Sequence, residues 1–188
     1  MKLFVISDIH GSEEALDKAL SWFEKERAEY LVILGDFLNH APRNALPSGY
    51  SQMGVAKKLN LLKDKIIGIK GNCDSEVDQE VLRFPLLPMF MIMSSDKKFF
   101  FTHGHIYNAY NLPPMSKGDV LVHGHYHIPW LFEKGGVLVA SPGSIAIPRG
   151  DSKPAYIVIE DGKLDIKSLD TGESIKKEVS KGERKEEY

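Results

Sequence analysis

Five short polar clusters in this chain carry side chains that bind metal ions: Asp8-Ile9-His10, Gly35-Asp36, Gly71-Asn72, Thr102-His103-Gly104-His105 and His123-Gly124-His125-Tyr126-His127. All seven histidines lie in them except His40, four residues after Asp36. Imidazole, carboxylate and amide oxygen, with no thiolate other than Cys73, favour Mn²⁺, Fe or Zn²⁺ over a purely oxygen-ligated Mg²⁺ or Ca²⁺. In extended backbone, residues i and i+2 point the same way, so Asp8 with His10, and His125 with His127, are expected to present two ligands each in one direction. Two facing pairs suit two ions, and ions about 3.5–4 Å apart need a shared anionic ligand, which Asp36 can supply.

Each cluster directly follows an apolar run, and that placement implies the elements behind it. Lys2–Ile6 reads as a first strand, Ser12 as the N-cap of an amphipathic helix with Ala15, Leu16, Ala19, Leu20, Trp22 and Phe23 on one face, and Tyr30–Leu34 as a second strand. A Pro- and Gly-containing loop, a helix with Val55, Leu59 and Leu62, and the strand Lys65–Ile69 repeat the unit. Strands then dominate: Met89–Met93, Lys98–Thr102, Asp119–Val122, Gly136–Ala140, Ala155–Ile159 and Lys163–Ser168. Helix-covered strands followed by a run of β predict an αββα sandwich, two stacked sheets with helices outside. Ligand sites in such sheets collect at the carboxyl ends of strands, where all five clusters fall.

The chain has 188 residues, which predicts one domain over 1–174; the tail 175–188, rich in Lys and Glu, is expected to fray. A net charge of -2 gives no long-range attraction to nucleic acid or anionic membrane, and the apolar stretch Phe84–Met93 is too short to span a bilayer. The N-terminus lacks a secretory h-region, and a single cysteine fits a reducing compartment, so a cytoplasmic location is expected. Alternating Met89, Met91 and Met93 read as core packing or a subunit interface, the latter compatible with a homo-oligomer.

The ordered pattern Asp8-Ile9-His10, Gly35-Asp36, Gly71-Asn72, His103 and Gly124-His125-Tyr126-His127 closely resembles the calcineurin-like metallophosphoesterase superfamily. The stretches Gly35–His40, Pro42–Pro47 and Gly71–Asp78 are similar to the bacterial YfcE-like phosphodiesterases, and the resemblance covers roughly residues 1 to 170. It implies the αββα fold and two ions: one held by Asp8, His10, Asp36 and His127, the other by Asp36, Asn72, His103 and His125, with Asp36 bridging. It further implies Mn²⁺, with Fe, Zn²⁺, Co²⁺ or Ni²⁺ as alternatives, and hydrolysis of a small phosphodiester by water activated between the ions. Nucleic acid is the less favoured substrate, since neither net charge nor an added DNA-binding domain supports it.

The chain departs from the family at one position. Many members read G-N-H-[DE], with the histidine placed to protonate the leaving alkoxide, whereas this chain reads Gly71-Asn72-Cys73-Asp74. Cys73 is an inert small residue, an alternative acid or a redox-sensitive thiol, the first being favoured. His40, Arg43 and His105 are candidates for phosphate contact, with ordinary loop hydrogen bonding or a solvated charge as the competing reading. Ser141-Pro142-Gly143-Ser144 reads as a structural turn. The superfamily also resembles a retromer scaffold subunit, but such a scaffold is expected to lose ligands that this chain retains.

Overall fold

The computed structural model describes residues 1–175 and the backbone of 180–181. The chain runs β1 (Lys2–Ile6), α1 (Glu13–Glu26), β2 (Tyr30–Ile33), α2 (Gln52–Leu61), β3 (Ile66–Ile69), α3 (Glu76–Val81) and β4 (Leu86–Leu87). It continues through β5 (Phe90–Ser94), β6 (Lys97–Thr102), β7 (Val120–His123), β8 (Pro129–Lys134), β9 (Val137–Pro142), β10 (Ala155–Glu160), β11 (Lys163–Ser168) and β12 (Ser180–Lys181). Two six-stranded mixed sheets result, ordered β11-β10-β1-β2-β3-β4 and β12-β8-β9-β7-β6-β5. Strands β1 to β4 are parallel, as are β6, β7 and β9, so their carboxyl ends form the rims on which the polar clusters sit.

Strand periodicity divides the core between layers. Leu3 and Val5 of β1 join Val32, Ile69, Phe99, Phe101 and Val122 between the two sheets. Their neighbours Phe4 and Ile6 face the other way and pack with Leu31, Ile33, Leu16, Phe23, Val55 and Leu59, so α1 and α2 cover that face. The predicted two-sheet sandwich is thus formed. The outer face of the second sheet is covered less regularly: Phe100, Leu121 and Val139 pack beneath Tyr107, Ala109, Tyr110, Leu112 and Met115, which belong to no helix or strand. Ser12 caps α1 by accepting the Ala15 amide at 3.2 Å, and Ser51 caps α2 through Gly54 at 3.1 Å; such caps are worth about 1 kcal/mol each.

Several elements differ from the sequence reading. β8 opens on a proline and ends on Glu133-Lys134, and β4 is two residues long, so neither carries a strand pattern. The six-residue α3 depends on the Ser75–Asp78 capping box rather than on an apolar face. Met91 and Met93 do not enter the core: they are 52% and 67% exposed on the edge strand β5, while Phe90 and Ile92 pack inward. Within the tail, Ile175 donates its amide to Ile166 O at 2.7 Å and β12 pairs in parallel with β8; the rest of the tail expected to fray, 176–179 and 182–188, lies outside the described residues.

Candidate metal centre

The loops after β1, β2, β3, β6 and β7 bring seven side chains together between the two sheets. On one side Asp8 Oδ1 lies 3.2 Å from His127 Nε2 and 3.6 Å from His10 Nε2, and those two nitrogens are 3.2 Å apart. On the other, His103 Nε2 lies 2.9 Å from Asn72 Oδ1 and 3.2 Å from His125 Nδ1. Asp36 Oδ2 stands between the groups, 3.6 Å from His10 Nε2 and 3.5 Å from His103 Nε2.

Hydrogen bonds behind the cluster orient its members. His10, His103 and His127 direct Nδ1 at the carbonyls of Asn39 (2.6 Å), Leu34 (2.6 Å) and Ile147 (2.9 Å). A carbonyl only accepts, so each Nδ1 carries the proton and each Nε2 turns a lone pair inward. Asp8 Oδ2 accepts from Ser7 Oγ at 2.6 Å and from the His125 amide at 3.0 Å, and Asp36 Oδ1 accepts from the Cys73 amide at 2.8 Å. Asp8 Oδ1 is buried and, among the described residues, accepts no hydrogen bond. Leaving such an oxygen without a partner costs several kcal/mol, roughly, and a ring of lone pairs around it makes the cost worse. A cation removes both penalties. Ligands about 2.1 Å from one ion lie about 3.0–3.4 Å apart around it, close to the separations found here. The residues therefore fit a metal ion on each side of Asp36.

The electrostatics show how strongly the cluster draws positive charge. Burial opposes ionisation of Asp8, yet the His10 and His127 rings hold its carboxyl well below the usual range. Burial opposes the charge on His10, but Asp8 and Asp36 outweigh it and raise its pKa, so a proton competes with a metal ion for Nε2. His125 is pushed down to about 4 by burial and by His103, which keeps its ring neutral and free to ligate.

Backbone conformation corrects one expectation. Asp8, His10, Asp36, His125 and His127 all have φ between 47° and 71°, in the left-handed region rather than extended. The Asp8/His10 pair still converges, but His125 and His127 diverge, one joining His103 and the other Asp8 and His10. Left-handed residues cost up to about 1–3 kcal/mol each and persist where the surroundings over-determine them. Close approach requires glycine beside them: a Cβ on Gly71 would lie 2.1 Å from Asp36 Oδ1, and one on Gly124 would lie 1.9 Å from Ser7 Oγ.

A cleft of about 380 Å³ opens over the cluster, with Arg43, Cys73, Tyr126 and Arg149 among its walls. Cys73 is half-buried, its Sγ accepts from Asn72 Nδ2 at 3.2 Å, and burial followed by the Asp36 charge pushes the thiol pKa up. His40 sits edge-on against Tyr50 and is not part of the cleft wall. His105 packs 5.4 Å from the His103 ring, also outside that wall.

Three supporting residues are not among the expected site residues, although Asp74 fills the acidic position of the G-N-H-[DE] pattern. Asp74, buried, accepts the amides of Asp36 (2.8 Å), Phe37 (2.8 Å) and Gly71 (2.7 Å); burial and the nearby Asp36 raise its pKa to about 6 against those bonds. Asn39 joins the His10 contact to Asp78 and Gln52. Ser144, expected to be structural, donates to the Asp8 carbonyl at 2.7 Å and accepts the Ile147 amide, tying the Asp8 loop to the segment that orients His127.

Comparisons with known proteins agree with this fold. Phosphodiesterase YfcE of Escherichia coli (strain K12) is 44% identical over 170 residues, covering 90% of this chain and 92% of that protein. The solved structure of the E. coli phosphoesterase YfcE superposes with a TM-score of 0.91 at 42% identity, over 95% of this chain and 99% of the other. Vacuolar protein sorting 29 from Cryptosporidium parvum shares the fold at TM-score 0.61 and 18% identity, covering 93% and 94% of the two chains. The sequence matches the calcineurin-like phosphoesterase superfamily domain over residues 1–163, and the chain belongs to that superfamily of hydrolases.

Proposed function

We propose that the chain is a phosphodiesterase that uses two divalent ions, with Mn²⁺ as the favoured metal. Asp8, His10, Asp36 and His127 hold one ion, and Asp36, Asn72, His103 and His125 hold the other. The observation that carries this reading is the position of Asp36 Oδ2, nearly equidistant from His10 Nε2 and His103 Nε2, where one carboxylate oxygen serves both groups. The choice of phosphodiesters rests on the similarity to YfcE. When bound, such an ion pair supplies Lewis acidity that makes water nucleophilic near neutral pH and offsets charge building on the phosphoryl oxygens.

The chain's own residues do the rest. The carbonyls of Asn39, Leu34 and Ile147 lock three imidazoles in the ligating tautomer, so little reorganisation accompanies binding. The Cys73 amide donates to Asp36 Oδ1 and Asp74 accepts the Asp36 amide, so both the side chain and the backbone of Asp36 are held. Arg43 and Arg149 stand at the mouth, where an anionic substrate enters. No imidazole occupies the position of Cys73, and its thiol pKa is raised, so proton donation to a leaving oxygen is weak.

Metal analysis with an activity assay tests the proposal. Two ions per chain at saturation, loss of bis(4-nitrophenyl) phosphate hydrolysis on chelation and recovery with Mn²⁺ are expected, and Asp36→Asn should lower occupancy at both positions. One ion at saturation, or undiminished hydrolysis after complete metal removal, would overturn it.

A further inference from the structure

With two divalent ions bound, the cleft would hold more positive charge than a simple diester requires. This inference rests on the two-ion reading above. Two divalent cations facing Asp8, Asp36 and, behind Asp36, the buried Asp74, with neutral imidazoles, leave about one positive charge, which the single charge of a diester neutralises. Arg43 and Arg149 lie outside that balance. Both are part of the cleft wall, and among the described residues neither guanidinium has a hydrogen-bond or ion-pair partner.

Their backbones, by contrast, are tied to the loops of the metal centre. The turn carrying Arg43 is closed by the Asn44 amide donating to Ala41 O (3.2 Å) and by Asn44 Nδ2 donating to His40 O (2.8 Å). The Arg149 amide donates to His127 O at 3.1 Å, and Ser152 Oγ donates to Arg149 O at 2.6 Å. Arg149 thus lies two residues beyond Ile147, whose carbonyl orients the His127 ring. Both side chains start from fixed points on the cleft wall that also contains His10 and His127, and both present free planar donors suited to a phosphate or carboxylate.

We infer that Arg43 and Arg149 are specificity-determining residues that bind a second anionic group of the substrate. The preferred substrate class is then a phosphodiester bearing another phosphate, rather than a singly charged diester.

A matched pair tests this: thymidine 3′-(4-nitrophenyl phosphate) with and without a 5′-phosphate. The 5′-phosphate should raise kcat/KM by about tenfold or more, chiefly through KM, since charge-assisted bonds are in play. The ratio between the two substrates should fall towards one in Arg43→Ala and in Arg149→Ala, and Arg149→Lys should keep part of it. Calorimetry gives a readout free of turnover: the Mn²⁺-loaded protein should bind thymidine 3′,5′-bisphosphate about tenfold more tightly than the 3′-monophosphate, and the double variant should bind the two alike. Equal binding and equal kcat/KM in the unsubstituted protein, with two-ion stoichiometry and diester hydrolysis intact, would overturn this inference alone. Absence of metal uptake and of hydrolysis would instead overturn the function proposed above, and this inference with it, because its charge count begins from the ions.

Discussion

Asp74 Oδ2 accepts the backbone amides of both Asp36 and Gly71, at 2.8 and 2.7 Å, and so clamps the loop after β2 to the loop after β3. Since Asp36 and Asn72 stand on those two loops, the clamp sets the distance between them. Asp74→Ala should lower metal affinity about 10–100-fold, as loss of an orienting partner does elsewhere. It should also cost about 2–4 kcal/mol of stability, because three buried amides lose their acceptor. Urea unfolding with chelator present separates the two effects; unchanged metal affinity in a folded variant would show that the clamp is not needed for ligation.

His103 and His105 are two residues apart, yet only His103 turns a ring nitrogen into the cluster, 2.9 Å from Asn72 Oδ1 and with Leu34 O behind it. His103→Ala should therefore remove an ion from the second position, whereas His105→Ala should leave metal content unchanged. Elemental analysis of the two purified variants decides this, and the reverse pattern would mean that the wrong histidine is assigned.

The absence of an imidazole at Cys73 makes the rate depend steeply on leaving-group pKa, because the departing oxygen must carry its own charge. Aryl diesters should be cleaved far faster than alkyl ones. Cys73→His should help poor leaving groups by up to about 10²–10⁴-fold if the ring reaches the leaving oxygen, and good ones much less. The bond from the Cys73 amide to Asp36 Oδ1 survives either substitution, so Cys73→Ala should stay close to the parent on aryl substrates. A large loss in Cys73→Ala confined to poor leaving groups would identify the thiol itself as the acid.

His123 is fully buried at the end of β7, with Nδ1 directed at Gly124 O and Nε2 without a hydrogen-bond partner among the described residues, and burial depresses its pKa to about 4. The unfolded chain, with a histidine pKa near the ordinary value of about 6.5, binds the proton first, so the contribution is full above about pH 6.5 and is lost as pH falls towards 4. The loss is on the order of 3 kcal/mol for this group. Denaturant midpoints at pH 7.5 and 5, taken with chelator present, should converge more closely in His123→Phe than in the parent. Identical pH slopes in the two proteins would rule out His123 as a source of acid lability.

Much of this was legible in the sequence for a local reason. Apolar runs such as Lys2–Ile6 and Tyr30–Ile33 announce buried strands, and the polar groups that stop them, Asp8-Ile9-His10 and Gly35-Asp36, are thereby placed on strand ends, where a sandwich collects its ligands. The types of those groups by themselves indicate metal chemistry. Spacing could not say which histidine meets which partner: the left-handed turns at His125 and His127 send two neighbours to opposite sides of Asp36, a choice made by contacts with Asp8 and His103, over 100 and over 20 residues away. Tertiary structure alone also exposed the roles of Asp74, Asn39 and Ser144, whose side chains bond to backbone groups on distant loops. Arg149 is the clearest case. An arginine in a loop of Pro, Gly and Ser looks like a solvated charge, and only the folding of that loop against His127 places it on the cleft wall.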